Sequence, residues 1–256
     1  MNMKHLIQYK LLILISIFFA ACSASKTIPY NARWNAPFSF VDEVKPDQED
    51  QKSRLKYGII NDQEYVYMTF KTRDPNTIQK ILSNGVTLQF APEGEKNNAY
   101  TLQFPVLTKE DRKALRQIDI DMPNSLGLKL LLDSYNKEAL WKDKSGSHSL
   151  NLVIPDGSIK ANISLDHLGE LTEQISIPLS LLGINLQESN RLGLNIKIEG
   201  ASAQSGGGLS PRIGVGLGGG IGMGGVGIGL GSGNRYGNGS ADKGVDIKLE
   251  VLLSKN

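Results

Sequence analysis

From Val245 to Val251 the chain places an apolar side chain at every second residue, in the run VDIKLEVLL. Successive side chains of a strand point to opposite faces, so this spacing makes a ribbon with one dry face and one wet face. The same period returns in Leu55, Tyr57 and Ile59, in Tyr65 to Lys71, in Val86 to Phe90 and in Ala99 to Val106. It returns again in SLNLVIP, GSIKANISL, EQISIPLSLLG and RLGLNIKIEG, between Ser149 and Gly200. A ribbon of this kind must cover its dry face with another layer. Many short strands and few helices therefore predict a mostly β chain. The expected form is an antiparallel β-sandwich with jelly-roll or immunoglobulin-like layers and two or three short helices.

The punctuation between these runs is local chemistry. Asn61-Asp62-Gln63-Glu64 separates two alternating runs and predicts a hairpin. Asp74 and Pro75 form a cap and a first helical position. Ile78, Ile81 and Leu82 follow at helical spacing, and Asn84-Gly85 ends the turn, so a helix is expected from Pro75 to Ser83. PEGEKNN joins Val86–Phe90 to Ala99–Val106 as a second hairpin. Thr108 with Asp111 resembles a capping box, ahead of a short helix ending near Gln117. The stretch from Ser125 to Lys142 satisfies two patterns. Its residues are good helix formers, but Leu126, Leu128, Leu130 and Leu132 alternate, so a strand is expected over Leu126–Asp133. Pro29 to Phe40 is expected to supply a short first strand, and the charged stretch from Val41 to Arg54 an exposed loop.

The amino terminus has a different character. Lys4 and Lys10 precede an apolar run from Leu11 to Ala21 that only Ser16 interrupts. A charged start, a short apolar core and small residues at the end are the parts of a secretory signal. The run is shorter than the roughly 20 residues a membrane-spanning helix needs. Phe19-Ala20-Ala21-Cys22 resembles a lipobox, with Phe where the pattern prefers Leu. Cys22 is the only cysteine of the chain, so it has no internal disulfide partner, and lipidation accounts for it. Ser23 to Lys26 then read as a polar tether. The resulting organisation is a signal over residues 1–21, then the lipidated Cys22 and a tether with a first strand over 22–53. A sandwich follows over 54–204, a glycine-rich insert over 205–240 and a final strand over 241–256. The segment after the signal carries 26 basic and 26 acidic residues, a balance that offers nucleic acid no electrostatic attraction. With no disulfide available, stability must come from burial and hydrogen bonding.

Glycine supplies 17 of the 36 residues from Ser205 to Ser240. A flexible loop, an adhesive β-hairpin and an apolar contact surface for lipid or protein all fit that composition. Gly214, Gly216 and Gly219 match G-x-G-x-x-G, but no strand precedes and no helix follows, so phosphate binding is rejected.

Catalytic patterns are missing. His148 and His167 are the only histidines after the signal, and neither sits in H-E-x-x-H. No nucleophile elbow or P-loop occurs. His148 lies in the polar run DKSGSHS and is expected to be solvated. No spacing among the carboxylates selects a catalytic pair, so neither an enzyme nor a cofactor is expected. Trp34 and Trp141 are the only tryptophans and the candidate sugar-stacking residues, with core packing as the competing role.

The stretch Gly58 to Pro105 resembles a group of Gram-negative envelope lipoproteins whose sandwich is similar to family 9 carbohydrate-binding modules and DOMON-like domains. The likeness lies in the hairpin around Asn61-Asp62, the helix ending near Gly85 and the turn before Phe104-Pro105. Glu173 with Ile177-Pro178-Leu179, and the glycine-rich insertion before the last strand, are also similar. The resemblance implies a sandwich with a binding role. It transfers no ligand residues, because neither the stacking tryptophans nor the Met and His haem ligands of those domains have secure counterparts here. Two roles stay open. One is a lipid-anchored outer-membrane protein that binds a glycan or another envelope component. The other is a structural or interaction protein that works through its insert or a sheet edge and takes no small ligand.

Overall fold

The computed structural model describes residues 27–34, 44–95, 99–115, 117–118, 126–154, 159–200 and 244–255. Cys22 and the glycine-rich insert lie outside them. Thirteen strands form two sheets among these residues. They are β1 (Ile28–Asn31), β2 (Arg33–Trp34), β3 (Gln48–Asp50), β4 (Leu55–Asn61), β5 (Tyr65–Thr72), β6 (Val86–Pro92) and β7 (Tyr100–Phe104). After them come β8 (Glu138–Asp143), β9 (Gly146–Asn151), β10 (Lys160–Leu165), β11 (Leu171–Pro178), β12 (Arg191–Ile198) and β13 (Val245–Leu252). Three helices interrupt them: α1 (Pro75–Asn84), α2 (Lys109–Leu115) and α3 (Leu126–Tyr135). The seven-stranded sheet runs β1-β13-β12-β6-β7-β8-β9. The six-stranded sheet runs β10-β11-β5-β4-β2, with β3 also on β4.

The expected mostly β sandwich is what the chain forms. The alternating runs bury one face each. On β12, Leu192, Leu194, Ile196 and Ile198 are buried, and Gly193, Asn195 and Lys197 face outward. On β5, Val66, Met68 and Phe70 face the same core. The sheets are mixed rather than purely antiparallel, because β1 pairs parallel with β13 and β2 parallel with β4. The amino-terminal segment thus adds one strand to each sheet. The segment from Val41 to Arg54 is not wholly an exposed loop. Val44 is buried, and Gln48–Asp50 pairs with β4.

Local signals held where they were complete. Asp74 Oδ2 accepts from Thr77 N at 2.8 Å, and Pro75 opens α1. Thr108 Oγ1 accepts from Asp111 N at 3.1 Å and Asp111 Oδ2 accepts from Thr108 N at 2.9 Å, a reciprocal box. The expected strand over Leu126–Asp133 is instead the helix α3. Its buried residues are Leu128, Leu131, Leu132 and Tyr135, with Leu126 and Leu130 exposed. That is one helical stripe, and the Tyr135 hydroxyl completes it by donating to Leu82 O in α1 at 2.6 Å. The strand of this region, β8, begins only at Glu138.

Gly85 shows how tightly α1 is joined to the seven-stranded sheet. Its φ is 72°, and a Cβ there would lie 2.4 Å from Pro105 O. Gly85→Ala is therefore expected to lower stability by about 1–3 kcal/mol in urea unfolding. Gly94→Ala should cost less, because Gly94 also has a positive φ but meets nothing within 4 Å.

Candidate functional site

Strands β6, β12 and β13 present their wet faces side by side on the outside of the seven-stranded sheet. Register puts Gln89, Asn195 and Lys248 in one row across them, and Ala91, Gly193 and Glu250 in the next. Ala91 and Gly193 have little or no side chain, so the surface dips between longer neighbours. The result is a groove of about 530 Å³, with Thr27 and Lys197 also on its lining. That lies within the usual size of a small-ligand site.

Beside the dip at Ala91 and Gly193 the groove is lined by an amide pair. Asn195 Nδ2 donates to Gln89 Oε1 at 3.3 Å. Asn195 Oδ1 is shielded from solvent and has no hydrogen-bond partner among the described residues. A shielded acceptor without a donor costs about 1–3 kcal/mol.

The sequence candidates lie elsewhere. Trp141 stands on β8, is 4% exposed, and donates from Nε1 to Asp143 Oδ2 at 3.3 Å. Tyr100 stacks on it with centroids 5.9 Å apart, so no ring face is open for a sugar. Trp34 ends β2 on the other sheet, half-buried against the core. The fold does not bring the two together, and neither lines the groove. The aromatic pair on an outer sheet face is instead Tyr65 and Tyr67, with ring centroids 5.9 Å apart. The Tyr67 hydroxyl donates to Asp62 Oδ2 at 2.8 Å.

His148 lies on β9 rather than in a loop, and it is exposed. Ser145 Oγ is 2.8 Å from its Nε2 and donates to Asp143 Oδ1 at 2.6 Å. Asp143 Oδ1 is 3.4 Å from the same Nε2. A hydrolase relay needs the carboxylate on the opposite ring nitrogen from the serine, so this cluster is not one. It stabilises the β8–β9 turn, and the Ser145 hydroxyl and backbone hydrogen bonds hold the Asp143 carboxyl down to about 2. His167 is exposed in the β10–β11 turn. Among the described residues no group of three or more His, Cys, Asp and Glu is placed to hold a metal ion.

Glu173 is the carboxylate that stands out. It sits on the core face of β11, opposite Phe70 on β5 and Ile163 on β10. It is 0% exposed, and neither oxygen has a hydrogen-bond partner among the described residues. Burial alone drives its pKa well above the usual carboxylate range.

No family model matches the chain, and no curated protein does. Among solved structures it is similar to a family 9 carbohydrate-binding module from Caldicellulosiruptor kristjanssonii. The complex of that module with glucose has 11% identity and a TM-score of 0.29, covering 68% of this chain and 80% of the module. Its complex with cellotriose has 11% identity and a TM-score of 0.30, covering 67% and 76%. At this distance no residue of the module's site carries over, and the groove rests on its own geometry.

Gln89 and Asn195 were not picked out from sequence. Each occupies a wet position of an alternating run, where polar residues are ordinary. Only the register of β6 against β12 makes them a pair.

Proposed function

We propose that the chain is a non-enzymatic, lipid-anchored sandwich of the outer envelope that holds a saccharide in the groove between β6, β12 and β13. The amide pair of Gln89 and Asn195 carries this reading. A sugar hydroxyl both donates and accepts, and a side-chain amide answers it in both senses. The low floor at Ala91 and Gly193 lets a ring approach those amides, while Lys197 and Glu250 offer a donor and an acceptor at its margin. Cys22 supports the anchor as the sole cysteine, placed directly after an export signal.

The test is calorimetric titration of a panel of neutral and uronic-acid oligosaccharides, cellotriose among them. Binding is expected to fall by about tenfold or more in Asn195→Leu and Gln89→Leu, the worth of one to two hydrogen bonds. Trp141→Phe should leave it unchanged. Binding that survives both groove variants and disappears in Trp34→Ala would return the site to the tryptophans. No binding by any sugar would favour a second role, an interaction protein acting through β9. That strand ends the seven-stranded sheet, and its Ser147, His148 and Ser149 are exposed.

A further inference from the structure

Eight large apolar side chains are exposed among the described residues. The five most exposed are Ile154 at 74%, Leu126 at 71%, Val153 at 64%, Leu168 at 62% and Leu130 at 60%. They come from three connections. Leu126 and Leu130 stand on α3, between β7 and β8. Val153 and Ile154 follow β9. Leu168 is in the β10–β11 turn.

The strand directions put these connections at one end of the sandwich. Pairing sets Leu165 beside Leu171 and Leu171 beside Thr72, so the β10–β11 turn lies where β5 ends. Pairing of Val86 with Phe104 and of Glu138 with Asn151 puts the start of β6 with the end of β7, and the start of β8 with the end of β9. Helix α1 joins the two sets, running from the end of β5 to the start of β6. Among the described residues, the exposed large apolar side chains at the opposite end are Leu181 at 37% and Leu252 at 43%. The turns there carry Glu64, Glu93, Glu95, Asp143 and Lys144. Scattered apolar residues are normal on a surface, but a one-sided set is not.

The described amino-terminal segment begins nearer to the same end. Strand β1 runs parallel to β13, from Ile28 beside Leu249 to Asn31 beside Leu252. Since β13 starts at the apolar end, Thr27 is the part of the described amino-terminal segment nearest to it. Cys22 is five residues before Thr27, which holds a lipid on it within about 18 Å of that residue.

We infer that the end of the sandwich bearing Leu126, Leu130, Val153, Ile154 and Leu168 rests on the bilayer that carries the lipid of Cys22. The inference builds on the anchor in the proposed function. The five side chains come from three separate connections, the helix α3, the segment after β9 and the β10–β11 turn. A fluid lipid interface fits such a set because it needs no shape match, which a protein partner would. On α2, α3 and the following turn to Glu138, exposed cations outnumber exposed acids five to three among the described residues, which suits anionic headgroups. In this orientation the groove opens sideways along the membrane.

The experiment places reporter tryptophans on the lipidated full protein in vesicles of brominated phosphatidylcholine with phosphatidylglycerol. Leu130→Trp, Ile154→Trp and Leu168→Trp are expected to lose about half their added fluorescence to the bromines, as for side chains at the depth of an interfacial helix. Leu181→Trp and Leu252→Trp should lose little. Equal quenching at both ends, or greater quenching at Leu181→Trp and Leu252→Trp, overturns the orientation. Vesicle flotation of a Cys22→Ser protein tests the anchor separately. If the Cys22→Ser protein no longer floats and the reporters of the lipidated protein still quench equally, the anchor stands and only the docking fails.

Discussion

Replacing Glu173 with methionine is expected to make the protein more stable at about pH 7, by about 1–3 kcal/mol, the usual cost of a buried polar group without a partner. The gain should shrink as the pH falls. The carboxyl faces Phe70, Ile163, Leu171 and Ile175, and none of them carries a charge. In the folded protein it stays protonated well above its ordinary 4.5, because burial penalises the ion. Below about 4.5 it is neutral in both states, and its titration does not bias folding. Above that the unfolded chain releases the proton while the folded chain retains it, so the folded state binds more protons. Stability of the native sequence therefore falls as pH rises, until the folded group also ionises. The methionine variant lacks this slope. Urea unfolding of both proteins from about pH 4 to pH 8 should give curves that lie closest in acid and diverge towards neutrality. Parallel curves would mean that Glu173 has a charged or hydrogen-bonding partner.

Leu131→Ala is expected to cost about 2–5 kcal/mol, whereas Leu130→Ala should cost less than about 0.5 kcal/mol. The contrast follows from α3. Leu131 is 3% exposed and Leu130 is 60% exposed. A strand over the same residues would put Leu130 on one face with Leu128 and Leu132, and would put Leu131 opposite. The strand would then make Leu130 the costly position. Two alanine variants in one chemical denaturation series thus distinguish the two folds of this segment. Circular dichroism of Leu130→Ala should be unchanged.

The same segment shows why part of the fold was legible and part was not. Helix α1 had a cap at Asp74, a Pro at its first turn and Gly85 past its end, all within one stretch of chain. Four leucines at alternate positions from Leu126 to Leu132 fit a strand, but Leu128, Leu131, Leu132 and Tyr135 fit a helix equally well. What the helix gains lies far away in the chain: the Tyr135 hydroxyl donates to Leu82 O, and Leu128, Leu131 and Leu132 join the core. Strand β8 was missed for the same reason, since the helix and not the strand uses the leucines before it. For Trp141 the sequence leaves sugar stacking and core packing both open. Packing against Tyr100 and Phe90 placed it in the core.

Alternation along the chain was enough to establish a mostly β sandwich, its two clear hairpins and the capped helix. Those features depend on side chains only a few residues apart, so local spacing carries them. The tertiary structure decided which strands became neighbours, including the parallel joins of β1 and β2, and hence which wet faces met. Gln89 and Asn195 are 106 residues apart and become a pair only when β6 lies against β12. Glu173 follows the same rule: its alternation put it on the dry face of β11, but only the closing of the second sheet left its carboxyl without water. Burial and register are properties of the assembled layers, and no short stretch of sequence contains them.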